Sequence, residues 1–426
     1  MYSNLIFIIQ QIMAGCYTST KNHIRKVFDY LKNEYSECDL EHILYPDRII
    51  KVNIPIKMDN WKTETFVGYR AQHNNSRWPY KWGIRFFHSV TEEEIITLSI
   101  WMSIKTALVW LPLWWGKWWV LVDVNSLSKM ELEKLSRWYV RKIFRYLWPN
   151  YDVPAPDVGT NPQIMAWMTD EYNRITSTYS PGVFTGKPLN YGGSKGRFTA
   201  TSDGWFFVLN EYLKNSWQDL NWKKIAIQWA GNAALWILQN LISYWASIVA
   251  ISDSKWGIYD KNWLNPQQIT EIKNNKKSVI DYDWWQVISN QELIELDVDV
   301  LILAALENQI NSFNAEKINA NYILELANWP IDLDIENILL QNKIKIIPDI
   351  LASAWGVIVS YFEQVQNNMN YYRKANEVAK KLKKTMETTV QDVDFISKEY
   401  QIDFRSACYI IAIKRILETM KIRGDI

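Results

Sequence analysis

Apolar positions along the chain follow two different periods, and the texture changes after Pro181. Residues 20 to 60 read as a helix, a turn at Pro46-Asp47 and a strand near Ile49 to Ile56. Thr91-x-x-Glu94 has the form of a capping box, in which a hydroxyl and a carboxylate satisfy free N–H groups at a helix start. It opens a helix carrying Leu98, Met102 and Lys105. Ser128-x-x-Glu131 opens another, with Leu132, Leu135, Tyr139, Ile143 and Leu147 recurring on one face. A loop-rich stretch from Pro149 to Pro162 leads to a helix around Ile164 to Ile175. Beyond Pro181, short apolar runs near Lys224 to Gln228, Ser247 to Ile251, Val298 to Ala304, Tyr322 to Glu325 and Lys343 to Ile347 alternate with helical patterns. Such alternation predicts a mostly parallel, doubly wound sheet. After Pro348 the chain turns helical again, including Phe404 to Lys421.

Length and charge narrow the class. At 426 residues the chain is long enough for two or three domains of about 150 residues. A net charge of +1 with no basic stripe argues against nucleic acid as a partner. No run reaches the ~18 apolar residues of a membrane span. Leu5 to Ile9 is apolar and Met13-Ala14-Gly15-Cys16 faintly resembles a lipoprotein cleavage site, but no Lys or Arg precedes it, so a first amphipathic helix is expected. Cys16, Cys38 and Cys408 are far apart, and His23, His42, His73 and His88 show no paired ligand spacing. No metal site is expected, and the thiols suit a reducing cytoplasm.

One stretch carries a nucleotide signal. The strand at Lys224 to Gln228 runs into Trp229-Ala230-Gly231-Asn232-Ala233-Ala234 and then a helix. A strand, a G-x-G-x-x-G/A turn and a helix bring bare backbone to a pyrophosphate at a helix N-terminus. Gly231 and Ala234 match, and Trp229 stands at the first glycine. Asp253, at the end of the next strand, is placed to bond the ribose hydroxyls and to repel a 2′-phosphate, which favours NAD over NADP.

The tryptophans are the anomaly. There are 24 of them against 15 glycines, and glycine is at half its ordinary share of about 7%. They cluster in Leu113-Trp114-Trp115-Gly116-Lys117-Trp118-Trp119-Val120 and recur in Arg77-Trp78-Pro79-Tyr80-Lys81-Trp82-Gly83-Ile84-Arg85, Ala327-Asn328-Trp329-Pro330 and Ala354-Trp355-Gly356-Val357. With glycine in their place these segments resemble the motifs of glutamate dehydrogenases, in the Glu/Leu/Phe/Val amino-acid dehydrogenase family. Gly68-Tyr69-Arg70-Ala71-Gln72-His73-Asn74, Pro154-Ala155-Pro156-Asp157-Val158-Gly159-Thr160-Asn161, Thr185-Gly186-Lys187-Pro188, Ala304-Ala305-Leu306-Glu307-Asn308-Gln309-Ile310 and Val359-Ser360-Tyr361-Phe362-Glu363 are similar as they stand. The resemblance runs from about Tyr45 to Asn367. A codon read as glycine in the source, as some bacterial lineages read UGA, and written as tryptophan under another code accounts for one residue type at another's positions. Trp101 and Trp167 sit where the family tolerates a real tryptophan. Other departures have no such origin: Phe87-His88 for His-Pro, Leu303 for proline, Leu326 for glycine and Ile331 for threonine.

The resemblance implies an α/β fold of two domains. Residues 1–180, completed by C-terminal helices 352–426, would form the substrate-binding and oligomerisation domain, and 181–351 a Rossmann-like nucleotide-binding domain. It implies Lys117 as catalytic lysine and Asp157 as proton-transfer acid. Lys105 would bind the α-carboxylate, and Lys81 and Ser360 the side-chain carboxylate. Arg197, Thr201, Trp229, Gly231, Asn232, Ala234, Asp253 and Asn328 would contact the cofactor. The implied reaction interconverts glutamate with 2-oxoglutarate and ammonia, on NAD, in a cytoplasmic homohexamer. Branched-chain or aromatic amino acids are the alternative substrates, and Lys81 with Ser360 argues against them. If the tryptophans are real, a non-catalytic relative is the third reading, because indoles flanking Lys117 would fill the space that substrate needs.

Overall fold

A computed structural model of the protein describes residues 17–426 apart from 78, 90, 198, 199 and 284, and leaves out the side chains of 82, 114, 115, 201, 202, 232, 233 and 236. The apolar N-terminal stretch and Trp78 therefore lie outside the described residues. The chain forms two compact units. One comprises Met1–Arg197, Val357–Val378 and Tyr409–Ile426, the other Phe198–Gly356 and Ala379–Cys408.

The first unit begins with helix α1 (17–28) and α2 (Glu37–Leu44). Strands β1 (Arg48–Lys57), β2 (Thr63–Gln72) and β3 (Tyr80–Phe87) follow, then α3 (Glu92–Leu108), β4 (Trp114–Leu121), α4 (Lys129–Ile143), β5 (Asp152–Pro156) and α5 (Pro162–Thr176). The sheet order is β1-β2-β4-β3-β5, with β3 parallel to both of its neighbours. Ser128 and Glu131 cap α4 reciprocally, as the spacing predicts. Thr91 caps α3 by accepting the Glu94 N–H at 3.1 Å, while the Glu94 carboxylate lies 3.8 Å from Arg85 Nη1. The apolar face of α4 supplies Leu135, Tyr139 and Ile143 to a core shared with Ile54, Ile84, Phe86, Trp118 and Met168.

Two segments not read as strands are strands. The Trp-rich run is β4, and the proline-rich stretch after Pro149 contains β5. Proline lacks one donor but keeps its carbonyl, so Pro154 and Pro156 sit on the sheet edge beside Trp82 and Ile84 of β3.

The second unit contains α6 (Ala200–Asn215), β6 (Lys224–Gln228), α7 (Asn232–Ser243), β7 (Ser247–Ser252), β8 (Gly257–Tyr259), α8 (Pro266–Asn274), β9 (Gln286–Ile288), α9 (Asn290–Ile294), β10 (Val300–Leu303), β11 (Tyr322–Glu325), α10 (Glu336–Gln341), β12 (Lys345–Ile347) and α11 (Asp349–Ala352). Its sheet order is β12-β11-β10-β6-β7-β8-β9, parallel from β12 to β7. The order reverses between β6 and β10, and such a switch point is where doubly wound sheets bind ligands. Three long helices complete the chain: α12 (Trp355–Met369), α13 (Ala375–Tyr400) and α14 (Phe404–Arg423).

Helix ends expose the tryptophan anomaly as geometry. Trp110 follows α3 with φ 56°, and the Trp110 and Leu111 N–H groups bond back to the Ala107 and Thr106 carbonyls. Trp217 after α6 and Trp245 after α7 repeat the arrangement at φ 56°. This is the Schellman C-cap, whose left-handed residue is ordinarily glycine. Trp61, Trp222, Trp229, Trp263 and Trp329 are also left-handed. Among the described residues, eight of the fourteen non-glycine residues at positive φ are tryptophan. Trp101 is not among them. It is buried in α3 and donates to Thr20 Oγ1 at 2.9 Å.

A buried ion cluster ties the second unit together. Arg405 reaches both Glu325 oxygens at 2.8 Å, Glu336 Oε2 at 2.9 Å and Asp349 Oδ1 at 3.1 Å. Burial pushes the Glu325 carboxyl up, against the pull of Arg405. Removing one partner of such a cluster leaves uncompensated buried charge. Arg405→Leu is expected to destabilise the protein by about 3–5 kcal/mol, read as an early urea transition by circular dichroism. A loss below ~1 kcal/mol would contradict this account.

Candidate active site

The candidate catalytic pair is built by three neighbouring strands. Lys117 lies on β4, and β3 pairs with β4 on one side and β5 on the other. Asp157 follows directly on β5. Gly83 on β3 is required there: a Cβ would stand 2.6 Å from the Asp157 Cβ. Lys117 is 1% exposed, and its Nζ donates to Asp157 Oδ2. Arg85 Nη2 lies 3.5 Å from the other oxygen, which also accepts the Val158 N–H at 2.7 Å.

Burial pulls Lys117 down to about 8, with Asp157 opposing and Arg85 assisting. Burial alone would raise Asp157, but the charges of Arg85 and Lys117 outweigh it and hold the carboxyl well below its usual range. A lysine near neutrality beside a fixed carboxylate suits proton transfer at physiological pH.

A second buried amine lies on the neighbouring strand. Lys81 on β3 is fully buried, and its Nζ donates to Thr185 Oγ1 at 2.5 Å and to the Val153 carbonyl at 3.2 Å. Thr185 Oγ1 lies 2.7 Å from Ser360 Oγ on α12. Burial pushes Lys81 well below its ordinary value, with Glu363 opposing and Arg197 and Lys187 adding to the fall. The sequence-predicted Lys81 and Ser360 thus meet through Thr185, a residue read only as part of a motif. Lys105 is buried in the last turn of α3. Arg197, expected at the cofactor, lies in the first unit with Nη1 3.6 Å from Glu363 Oε2. Arg85 was missed as well. Its signal was its place two residues beyond Gly83, on the same face of β3.

Two indoles of β4 are packed. Trp118 and Trp119 are fully buried. Successive strand residues face opposite sides, so Trp118 points away from the Lys117 face. It meets Tyr139 edge-on at 5.8 Å and has the Arg70 guanidinium over its ring at 4.4 Å. Trp119 shares the Lys117 face and packs edge-on against Phe87 at 6.3 Å, with Arg85 over its ring at 4.9 Å. Trp118 therefore does not occupy the space around Lys117, contrary to the expectation for an indole flanking the lysine.

In the second unit the nucleotide-type turn sits at the sheet's switch point. Trp229 follows β6 at φ 77°, and Gly231 caps α7. The Trp229 ring lies over this turn: a Cβ on Gly231 would be 2.9 Å from it. Ala234 is buried in the first turn of α7. The side chains of Asn232 and Thr201 lie outside the described residues, and Asn328 is exposed. Asp253 ends β7 with its oxygens engaged: Oδ1 accepts the Lys255 N–H at 3.0 Å, and Oδ2 accepts from Ser278 Oγ at 2.8 Å, the Val279 N–H at 3.0 Å and Lys273 Nζ at 3.3 Å. Burial raises its carboxyl, but these hydrogen bonds outweigh that and hold it at about 2. Among the described residues no cluster of His, Cys, Asp or Glu could hold a metal, and no helix is long and apolar enough to cross a membrane.

Residues 46–174 match the family model described as the Glu/Leu/Phe/Val dehydrogenase dimerisation domain, and 192–424 match that of Glutamate/Leucine/Phenylalanine/Valine dehydrogenase. The chain is 42% identical over 407 residues to an NAD-specific glutamate dehydrogenase of Staphylococcus aureus (strain COL), covering 96% of this chain and 98% of that one. A catabolic NAD-specific glutamate dehydrogenase of Bacillus subtilis (strain 168) is also 42% identical, with 89% of each chain covered. Among solved structures, glutamate dehydrogenase from Peptoniphilus asaccharolyticus superposes with a TM-score of 0.86 at 34% identity, covering 96% of this chain and all of that one. The hetero-hexameric glutamate dehydrogenase of Thermus thermophilus, in a Leu-bound form, gives 0.88 at 28% identity, covering 96% and 97%. A doubly wound sheet joined to a unit with paired buried lysines is thus the fold of an amino-acid dehydrogenase. The chain belongs to the Glutamate/Leucine/Phenylalanine/Valine dehydrogenase family.

Proposed function

We propose that the protein catalyses the reversible, NAD-dependent oxidative deamination of L-glutamate to 2-oxoglutarate and ammonia. The observation that carries the choice of glutamate is Lys81, fully buried and bonded to the Thr185 hydroxyl, which in turn meets that of Ser360. A pocket for a leucine or phenylalanine side chain would not bury an amine without an anionic partner. Lys81→Leu should raise KM for glutamate by roughly 10–100-fold, the worth of a hydrogen-bonded charge, and leave an apolar amino acid nearly unaffected. Equal losses for glutamate and norvaline would remove Lys81 from side-chain recognition.

Lys105 binds the α-carboxylate in this reading. Lys117 takes the proton from the water that attacks the iminium carbon, and Asp157 moves the proton of the departing amine. Bound NAD supplies the hydride acceptor. The turn at Trp229–Gly231 with the N-terminus of α7 would hold its pyrophosphate, and Asn328 would lie near the nicotinamide. Asp253, held ionised, disfavours a 2′-phosphate. Lys117→Ala and Asp157→Asn should each cost about 10²–10⁴-fold in kcat. Arg85 helps to lower Lys117, so Arg85→Met should move the acid limb of the pH–rate profile upward from near 8. A limb that stays in place or moves to lower pH would contradict the assignment of that limb to Lys117.

The turn fits a dinucleotide when residue 229 is glycine. As written, the indole covers the backbone that a pyrophosphate must meet. The left-handed φ at Trp229 and at seven other tryptophans is the conformation that glycine adopts without cost. We infer that the working polypeptide has glycine at these eight positions. The family motifs extend the inference to Trp78, Trp82, Trp114, Trp115, Trp118, Trp119 and Trp355. Peptide mass mapping of the protein from its own cells should find glycine there and tryptophan at Trp101 and Trp167, which serve as internal controls. Indole masses at Trp110, Trp217 and Trp229 would end the proposal. A cytoplasmic homohexamer remains the proposal that the family resemblance implies; the hetero-hexameric Thermus relative supports the number of subunits alone.

A further inference from the structure

Glu363 has no role in the proton chemistry, yet its side chain is fully buried, and its contacts converge on the Lys81 pocket. Its Oε1 accepts the Gly186 N–H at 2.8 Å, the Lys187 N–H at 3.2 Å and Lys187 Nζ at 3.2 Å. Lys187 Nζ turns back to the Phe184 carbonyl at 2.6 Å. The Gly186–Lys187 end of the segment is therefore pinned to one carboxylate, and Lys187 Nζ links that carboxylate to the Phe184 carbonyl at the other end, with Thr185 between them. Thr185 supplies the hydroxyl on Lys81. Glu363 lies three residues beyond Ser360 on α12, so both project from one helix face. A single side chain thus holds the loop of Thr185, whose hydroxyl joins Lys81 to Ser360, against the helix that carries Ser360.

We propose that Glu363 is the positioning residue of the distal-carboxylate pocket: it clamps Phe184–Lys187 to α12, sets Thr185 and Ser360 against Lys81, and supplies the negative charge that lets a buried amine stay cationic for a diacid substrate. The inference rests on reading Lys81 as the partner of the glutamate side-chain carboxylate. Charge balance around Lys81 follows from the packed elements. Glu363 comes from α12, Lys187 and Arg197 from the segment after α5, and Asp152 from β5. Asp152 is already neutralised by Arg70 of β2 at 2.5 Å and hydrogen-bonded by Gln72 at 2.8 Å. Glu363 is shared between Lys187 and Arg197, two cations that oppose Lys81. Losing its charge would leave three cations together.

The experiment uses glutarate, a diacid without an amine, and pentanoate, the matching monoacid, as competitive inhibitors of the full enzyme across pH. The parent should prefer glutarate, with binding lost on the alkaline side as Lys81 deprotonates. Absence of that preference in the parent would sink the reading of the pocket itself, separately from Glu363. Glu363→Gln should weaken glutarate by roughly 10–100-fold, shift the alkaline limb to lower pH, raise KM for glutamate with kcat little changed, and leave pentanoate alone. Glu363→Asp keeps the charge while withdrawing the oxygens from Gly186 and Lys187, so it should weaken glutarate without moving the limb. Lys187→Met removes an opposing cation and should move the limb to higher pH, which keeps the test open if Glu363→Gln folds poorly. Equal weakening of glutarate and pentanoate, or a limb unmoved in both Glu363→Gln and Lys187→Met, would reduce Glu363 to a structural residue and overturn the proposal.

Discussion

Everything in the first unit is arranged around keeping two amines out of water. A buried ammonium without a partner loses its proton rather than remain charged. The structure meets this constraint differently at its two lysines. Lys117 is given a carboxylate, and Arg85 stands on the far side of that carboxylate, so the amine is lowered only to about 8. Lys81 is given one hydroxyl and a carbonyl, and Glu363, whose charge opposes the loss of its proton, is hydrogen-bonded to a loop and not to the amine. The first arrangement suits an amine that exchanges protons during a reaction. The second suits an amine whose charge is completed by what binds to it. The sheet order makes both possible, since β3 sits between β4 and β5 and brings chemistry from three strands to one end.

The tryptophans divide into two physical classes. In β4 they occupy extended backbone, where a large ring packs as well as any other, and Trp118 takes its place in the core. At the helix ends and turns they occupy left-handed backbone, and six of the eight stand in solvent, Trp217 at 98% exposure. A left-handed non-glycine residue costs about 1–2 kcal/mol. Eight of them together come to on the order of 10 kcal/mol, comparable to the whole folding free energy of an ordinary domain. Trp61, Trp110, Trp217, Trp222, Trp245 and Trp263 are all exposed, so little burial offsets this, although cations lie over Trp61 and Trp110 and the rings of Trp222 and Trp245 meet. The turns therefore speak for glycine by geometry, whereas β4 does so only by the resemblance of its sequence.

Legibility followed period. The parallel strands β6, β7, β10 and β11 were visible because each is a short apolar run bounded by polar residues. Helix α4 was visible because its cap and its apolar face agree. β4 and β5 were hidden for opposite reasons. In β4, glycine-like motifs around Lys117 suggested a loop, but extended backbone accommodates glycine and tryptophan alike. In β5, Pro154 and Pro156 suggested a break, but an edge strand has a side that needs no donor. Lys81, Lys117, Asp157 and Ser360 were legible only through resemblance, since nothing in the spacing of isolated lysines implies burial. Arg85, Thr185 and Glu363 stayed hidden as actors because their work is done through contacts between distant segments. The Glu363–Gly186 bond joins residues 177 positions apart.

That distance also explains why the proposed distal-carboxylate site depends on α12 at all. Lys81 arrives on β3 and Thr185 on a loop after α5, and neither fixes the other's position along the pocket. A helix does, because its side chains repeat at fixed rises of about 1.5 Å per residue. Ser360 and Glu363 convert that rigid spacing into a gap between a hydroxyl and a clamp. A family that accepts acidic, branched and aromatic side chains on one scaffold could therefore change substrate at the helix face and the loop it holds, leaving Lys117, Asp157 and Arg85 untouched. In this chain the helix face and the loop bring a chain of two hydroxyls to a buried amine, a donor set that the proposed reading assigns to a second carboxylate.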